Sequence, residues 1–410
     1  MSKFVFAFFF PFWTWILSIV KFDSPNAKNW FWYGCAFMGI VFIFYPVGGS
    51  GNDSTRIAYQ LEYFHNNFRN FDAVVAFLYK EDNSLDVYQS VITYLVSIFT
   101  GNPHYLFLVF AIIFGFFYSR NVFMLLGFSD TSKLKWWVWV IVIMYILILP
   151  IWEINGVRMW TAMHVFTYGV FSFLFRNDTK KIYWSIVSVF IHFSFIIPVF
   201  ILLIYMILPK QKLGFYFVIY SVSVLFSELD IQSLKDSVIN FLPHQLSVKA
   251  GEYMNEEYVE VVAENNASLS KYIHITSLLS NYFKLIVIVY LWIKNRTLFV
   301  SEEYKKILIF YLVFGAVFEF LSAIPSFGRF LILCNLSFFA LLLFLLFKFP
   351  IDNKLNTLIK YVSILLILPI LFRLRIGTDF YGFSLLWGNF LSAMLIDDNV
   401  PLIDFVKSLL

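Results

Sequence analysis

Apolar residues in this chain come in long runs, not in the two-residue alternation of a sheet or the narrow stripe of a soluble helix. Runs at about 4–20, 30–46, 103–119, 136–151, 157–175, 213–227, 272–293, 307–322, 329–347 and 357–373 reach or approach the length that crosses a bilayer, roughly 18–20 residues. The pattern predicts an all-α polytopic membrane protein with about ten transmembrane helices, forming a single integral membrane domain over 1–410. The first run resembles a signal sequence in length. It is filled with aromatics and lacks a small-residue cleavage site, so it is read as a retained helix.

Two segments depart from this pattern. In 85–99, Tyr88, Val91, Ile92, Leu95 and Phe99 share one helical face, and Asp86, Gln89, Ser90, Thr93 and Ser97 share the other. The spacing predicts an outer amphipathic helix lying on the membrane surface. Segment 182–208 is long for one span and short for two, and His192, Ser194 and Pro198 interrupt its middle.

Basic residues orient the chain. The connections carrying Lys21/Lys28, Arg120/Lys133/Lys135, Arg176/Lys180/Lys181, Lys210/Lys212, Lys294/Arg296/Lys305/Lys306 and Lys348/Lys354/Lys360 are all expected to be cytoplasmic. All six fall on one side only if 182–208 enters and leaves on the same face. That parity predicts a re-entrant or bent hairpin with His192 near its apex, the alternative being one tilted span. Loops 47–84 and 227–270 are then extracytoplasmic.

Composition agrees with this class. The chain is 60% hydrophobic and 14% charged, with a mean hydropathy of +0.77, whereas a soluble domain is nearer a quarter charged. No polar stretch is long enough for a separate catalytic domain. Cys35 and Cys334 both fall in predicted spans and imply neither a disulfide framework nor a zinc site. Walker, HExxH, CxxC and GxSxG motifs are missing from the sequence, as is a strong internal repeat.

Lysine and arginine are distributed differently. The predicted cytoplasmic connections hold 14 Lys and 3 Arg, and the rest of the chain holds 7 Lys and 6 Arg. The outer arginines are Arg56, Arg69, Arg158, Arg329, Arg373 and Arg375. Guanidinium binds phosphate oxygens as a planar fork, where an ammonium acts as a point charge. Arginine at the outer membrane surface therefore suits a lipid-linked phosphate or pyrophosphate. Headgroup anchoring at helix ends is the plainer explanation for any one of them.

Other polar residues lie at membrane depth. Glu153, Asn155 and Arg158 share one short outer connection, where Glu153 and Arg158 are placed to pair. His192 and Ser194 sit at the predicted break. Lys284 and Glu319 interrupt predicted spans, and ionisable groups there are functional suspects. Asp53 follows Gly48, Gly49 and Gly51, which suit a tight turn beside a ligand.

In their order along the chain these features resemble bacterial oligosaccharide-repeat polymerases of the Wzy and EpsG-like type. The resemblance rests on Gly51-Asn52-Asp53-Ser54-Thr55-Arg56 with Tyr59, then an amphipathic segment before a span. Asn155-x-x-Arg158 with Ala162 follows, then Ile191-His192-Phe193-Ser194 like the family's His-x-Ser element, then Arg329 opening a late helix. It covers about residues 30–375. It implies a glycosyltransferase of the bacterial cytoplasmic membrane that moves a growing glycan from undecaprenyl pyrophosphate to a lipid-linked repeat unit at the outer face. The implied partners are that lipid-linked oligosaccharide and the bilayer, with a chain-length regulator and a flippase nearby, and no nucleic acid, cofactor or metal. His192, Glu153 and Glu319 are the candidate catalytic residues. Arg158, Arg329, Arg56, Asp53, Lys284 and Arg373 are the candidates for substrate or pyrophosphate. A polyprenyl-phosphate-sugar-dependent transferase and a flippase or transporter of the same units are the competing readings.

Overall fold

The computed structural model describes residues 3–44, 53–68, 72, 75, 87–129, 133–209, 212–226, 271–293, 301–322, 327–349, 353–395 and 398–408. The glycines before Asp53, Arg69, most of loop 47–84, all of loop 227–270, and Lys210, Lys294 and Arg296 lie outside them. Among the described residues the chain is helical, with a single isolated bridge between Phe42 and Tyr381 in place of any strand. Five stretches are long and apolar enough to cross a membrane: Pro103–Leu126, Trp136–Arg176, His274–Ile293, Phe327–Lys348 and Asn353–Gly377. Pro11–Val20, Phe193–Ile207 and Leu213–Val224 are apolar but shorter.

The helices form two compact units. The first comprises Met1–Lys135, Leu149–Val199 and Ile370–Leu410, and the second Trp136–Ile148 and Phe200–Pro369. In the first unit are α1 (Lys3–Phe9), α2 (Pro11–Val20), α3 (Ala27–Ile40), α4 (Asp53–Asn67), α5 (Val87–Ser97) and α6 (Pro103–Leu126). The second unit receives α7 (Trp136–Ile148). The first resumes with a 3₁₀ turn at Ile151–Gly156, α8 (Val157–Arg176) and α9 (Ile182–Ile191).

Local chemistry sets the helix ends. The Asn102 side chain accepts from the His104 amide at 2.9 Å, with Pro103 opening α6. At the end of α8, Asn177 turns left-handed (φ 54°), and the Asp178 amide reaches back to the Ser172 carbonyl.

Helices α3 and α6 form the closest pairing. Cys35 and Gly39 lie one turn apart on α3, and Ala111 and Gly115 lie one turn apart on α6. A Cβ at Gly39 would collide with Ala111 and stand 2.6 Å from the Phe107 carbonyl oxygen. One at Gly115 would stand 2.6 Å from Cys35 Cβ. Small residues at this spacing let two backbones approach where lipid supplies no hydrophobic drive. The end of α3 is then secured from two sides. His104 Nδ1 lies 2.8 Å from the Ile40 carbonyl oxygen, and the Ile43 amide donates to the Phe380 carbonyl at 2.9 Å.

Helix α5 forms as its spacing predicts, but its polar face packs inside the protein, where a helix lying on the membrane surface would turn it to water. Thr93 is 0% exposed and Gln89, Ser90 and Ser97 are buried, while Leu95 is 49% and Phe99 84% exposed. Its polar side packs against α4, α8 and α9, with Gln89 donating to Gln60 at 2.9 Å. In lipid the polar groups turn inward to find partners and the apolar side faces the hydrocarbon.

Segment 182–208 breaks where the sequence predicts. α9 stops at Ile191, His192 is extended (φ −146°, ψ 115°), a short turn follows, and α10 (Ile196–Ile207) resumes. The expected hairpin would pack its two arms on each other. Instead α9 lies along the end of α8, with Ser185 Oγ donating to the Phe166 carbonyl at 3.0 Å. Tyr205 of α10 donates to the Lys306 carbonyl at 2.8 Å and meets the Phe310 ring. The segment is thus a broken helix whose arms find different partners.

In the second unit, α11 (Leu213–Phe226) and α14 (Leu331–Lys348) flank α13 (Glu302–Leu321). α7 packs on α14, and α12 (Lys271–Ile293) packs near α15 (Asn353–Val362). α16 (Ile367–Gly377) carries the chain back into the first unit.

Gly39→Ala is expected to force α3 from α6 and cost about 1–3 kcal/mol. At Gly328 nothing stands within 4 Å of an added Cβ, so Gly328→Ala is the control. Thermal unfolding in detergent reads both; equal midpoints would show that the α3–α6 contact yields freely.

Candidate functional site

At the end of the first unit where α3 finishes and α6 and α8 begin, the 3₁₀ turn Ile151–Gly156 places Glu153 partly inside the protein. Asn155 folds onto its own chain, its Oδ1 accepting from the Gly156 amide at 2.6 Å. Arg158 stands on the first turn of α8, partly buried. The expected Glu153–Arg158 partnership is replaced. The cation whose charge acts on Glu153 is Arg373 of α16, more than two hundred residues later. Gly377, one turn beyond Arg373, explains the approach, because its bare Cα lets the Trp152 indole come as near as 3.2 Å to where a Cβ would stand.

Asp53 and Arg56 open α4 near the same end. They pair with each other at 3.0 Å and both are largely exposed. The Thr55 hydroxyl donates to the Phe44 carbonyl at 2.7 Å, tying the start of α4 to the end of α3. Arg375 pairs with Asp379 at 2.7 Å, just past α16. Burial raises the Asp379 carboxyl above the usual carboxylate range, against the pull of Arg375 and Lys407.

His192 sits at the break, partly buried, with the Ser194 hydroxyl buried beside it. The polar side of α5 packs on α9, and the Tyr88 hydroxyl approaches that of Thr161 on α8. Buried hydroxyls and an amide thus line the contact of α5 with its neighbouring helices.

A second histidine escaped the sequence reading. His164 of α8 is buried, with Nε2 3.1 Å from the Leu149 carbonyl oxygen. Asn121 Nδ2 donates to the His164 carbonyl at 2.9 Å, and the ring packs on Phe114 and Tyr118. This is a packing role. The available signal was a polar residue in each of two apolar helices, which does not reveal that the two meet.

Lys284, Glu319 and Arg329 belong to the second unit. Lys284 Nζ donates to Asn335 Oδ1 at 2.7 Å, and its charge and that of Glu319 act on each other. The hydroxyls of Tyr220 and Tyr311 meet at 3.0 Å, and the Glu319 charge reaches both. Four helices, α11 to α14, thus bring a lysine, a carboxylate, an amide and two phenols into one neighbourhood. Lys284 turns inward to these groups instead of snorkelling outward. Arg329 is exposed, on the turn Phe327–Phe330 before α14.

Of the nine candidates, Asp53, Arg56, Glu153, Arg158, His192 and Arg373 belong to the first unit and the other three to the second. Among the described residues no three His, Cys, Asp or Glu side chains gather at metal-binding separation. No protein-family model matches the chain, and no characterised protein or solved structure compared with it does either.

The Glu153–Arg373 relationship can be tested by a double-mutant cycle. Arg373→Leu alone removes the positive charge that acts on Glu153 and is expected to lower the thermal midpoint. Adding Glu153→Gln should restore most of that loss in the thermal midpoint. Simple additivity would mean that the two do not interact.

Proposed function

We propose that the chain is a membrane glycosyl polymerase of the bacterial cytoplasmic membrane, with about ten spans counting its shorter apolar helices. It would transfer a growing glycan from undecaprenyl pyrophosphate to the sugar of a lipid-linked repeat unit at the outer face. The observation that carries the reading is the segregation of charge in the first unit. Lys28, Arg120, Arg176 and Lys181 gather at one end. Arg56, Arg158, Arg373 and Arg375, with Asp53, Glu153 and Asp379, occupy the elements at the other. The lysine-bearing end fits the cytoplasm, which leaves the guanidinium end facing outward, where a lipid-linked pyrophosphate would arrive.

In this reaction an acceptor hydroxyl attacks the anomeric carbon and the bond to the pyrophosphate oxygen breaks. The hydroxyl proton passes to a base, and the leaving pyrophosphate takes up the electron pair. Arg158 and Arg373 stabilise the charge that develops on it, with Arg56 available to the rest of the substrate. Glu153 is assigned to the electrostatic balance of Arg373, whose charge acts on it. His192 is assigned the proton.

A transporter of the same lipid-linked units is the second reading, favoured by the Lys284–Glu319 pair, since ionisable groups at membrane depth often line a path. Single flipped units accumulating in a deletion strain would exclude it. A polyprenyl-phosphate-sugar transferase would instead lose activity with a chelator.

Two experiments test the leading reading. With Cys35 and Cys334 buried, a cysteine placed at the exposed Asp53 should react with an impermeant maleimide in intact cells. One placed at Lys180 should react only after permeabilisation, and the reverse pattern would invert the first unit. In a purified polymerisation assay, His192→Gln should bind the lipid-linked unit normally and lose about 10²–10⁴-fold in rate. Arg158→Lys, which keeps charge but not the fork, should lose polymer at normal protein level. A less than tenfold loss from His192→Gln would remove histidine as the base, and normal polymer from Arg158→Lys would remove fork recognition at that position.

A further inference from the structure

Four cations come together at the basic end of the first unit. The charges of Arg120, Arg176 and Lys181 all act on Lys28. These four cations come from four different elements: the start of α3, the end of α6, the end of α8 and the turn Thr179–Lys181. Asp178 is ion-paired with Lys181 at 3.4 Å. Asp23 stands exposed on the turn before α3.

Arg120 is the best-held member. Its guanidinium lies over the Phe116 ring at 3.9 Å and the Trp32 ring at 4.8 Å. It donates to Ser119 Oγ at 2.8 Å and Asn29 Oδ1 at 3.4 Å, both neutral acceptors. Lys181 is similarly placed over the Tyr168 ring at 5.4 Å. Lys28 and Arg176 are exposed, while Arg120 and Lys181 are half-buried. An orientation signal needs only a count of positive charges and no shape. Here aromatic faces fix a guanidinium and an ammonium beside two open cations.

Depth identifies the ligand. Arg120 follows Pro103, the first residue of α6, by 17 residues (120 − 103), or about 26 Å of helix. That is close to the thickness of the hydrocarbon core, about 30 Å. The cluster therefore lies where headgroup phosphates lie, rimmed by Tyr183, Trp184 and Tyr168. We propose that Lys28, Arg120, Arg176 and Lys181 form a binding site for the phosphate of an anionic phospholipid headgroup, separate from the guanidinium end of the same unit.

The full chain, purified in neutral detergent, is titrated with phosphatidylglycerol and with phosphatidylcholine. Binding is read by native mass spectrometry and by the thermal midpoint. Phosphatidylglycerol should bind saturably and raise the midpoint, and phosphatidylcholine should do neither. Each neutralised cation should weaken binding about fivefold, in Arg120→Gln and in Lys28→Gln. Lys28 is exposed at the start of its helix, so Lys28→Gln still decides the matter if Arg120→Gln misfolds. Lys407→Gln, on the C-terminal helix, should bind like the wild type. Equal binding of the two lipids would overturn the proposal, as would unchanged affinity in Lys28→Gln. A midpoint rise of the same size with inorganic phosphate at the same concentrations would assign the site to a free anion and overturn the lipid assignment.

Discussion

The first unit depends on the contact between α3 and α6. A bilayer gives two helices no hydrophobic reason to associate, since lipid tails are as apolar as the side chains they would replace. Close backbone approach supplies the attraction instead, and Cys35, Gly39, Ala111 and Gly115 permit it. What stands on this pair is the end that carries Glu153, Arg158 and Arg373. α3 delivers Phe44 to the start of α4 and Ile43 to Phe380, while α6 delivers Asn121 to His164 and so fixes α8. α8 in turn carries Arg158 and supports α9, whose last turn leads to His192. The candidate residues are far apart in sequence, and this pairing is the frame that several of them share.

Polarity is arranged around the same frame. Thr93, Thr161, His164, Thr167 and Ser172 are buried. Phe190 and Phe200, on either side of the His192 break, are exposed. In lipid a polar side chain finds partners only inside the protein, so buried hydroxyls mark where helices face one another. The Lys284–Glu319 group in the second unit follows the same logic with full charges, each meeting an opposite charge or an amide.

Much of the fold was legible in the sequence because a span is defined by length and apolarity alone. Described helices occupy every predicted run, and the break in 182–208 fell at His192 as His192, Ser194 and Pro198 implied. The facing of α5 was not legible, because amphipathic spacing says which residues share a face but not which solvent that face meets. Partnerships were the least legible. Glu153 has an arginine five residues away, yet the one it feels is Arg373, brought in by the bare Cα of Gly377. Lys284 and Glu319 stood out singly, whereas Asn335, Tyr220 and Tyr311 had no reason to. The four-residue spacings of Cys35 with Gly39 and of Ala111 with Gly115 were visible throughout, and only the packed helices give them meaning.

The first unit is discontinuous, and that has a consequence for how the protein is made. Residues 200–369 are synthesised between the last two of its three parts. Arg373 follows Glu153 by 220 residues (373 − 153), which at ordinary elongation rates is about 10–45 s. During that interval α8 is already present while Glu153 lacks its counter-charge and the end of α3 lacks Phe380. A ribosome that stalls or terminates anywhere in the second unit thus leaves a nascent chain with an uncompensated carboxylate near the membrane surface. Residues 370–410 therefore close the first unit, which can pack fully only after they have followed the second unit out of the ribosome.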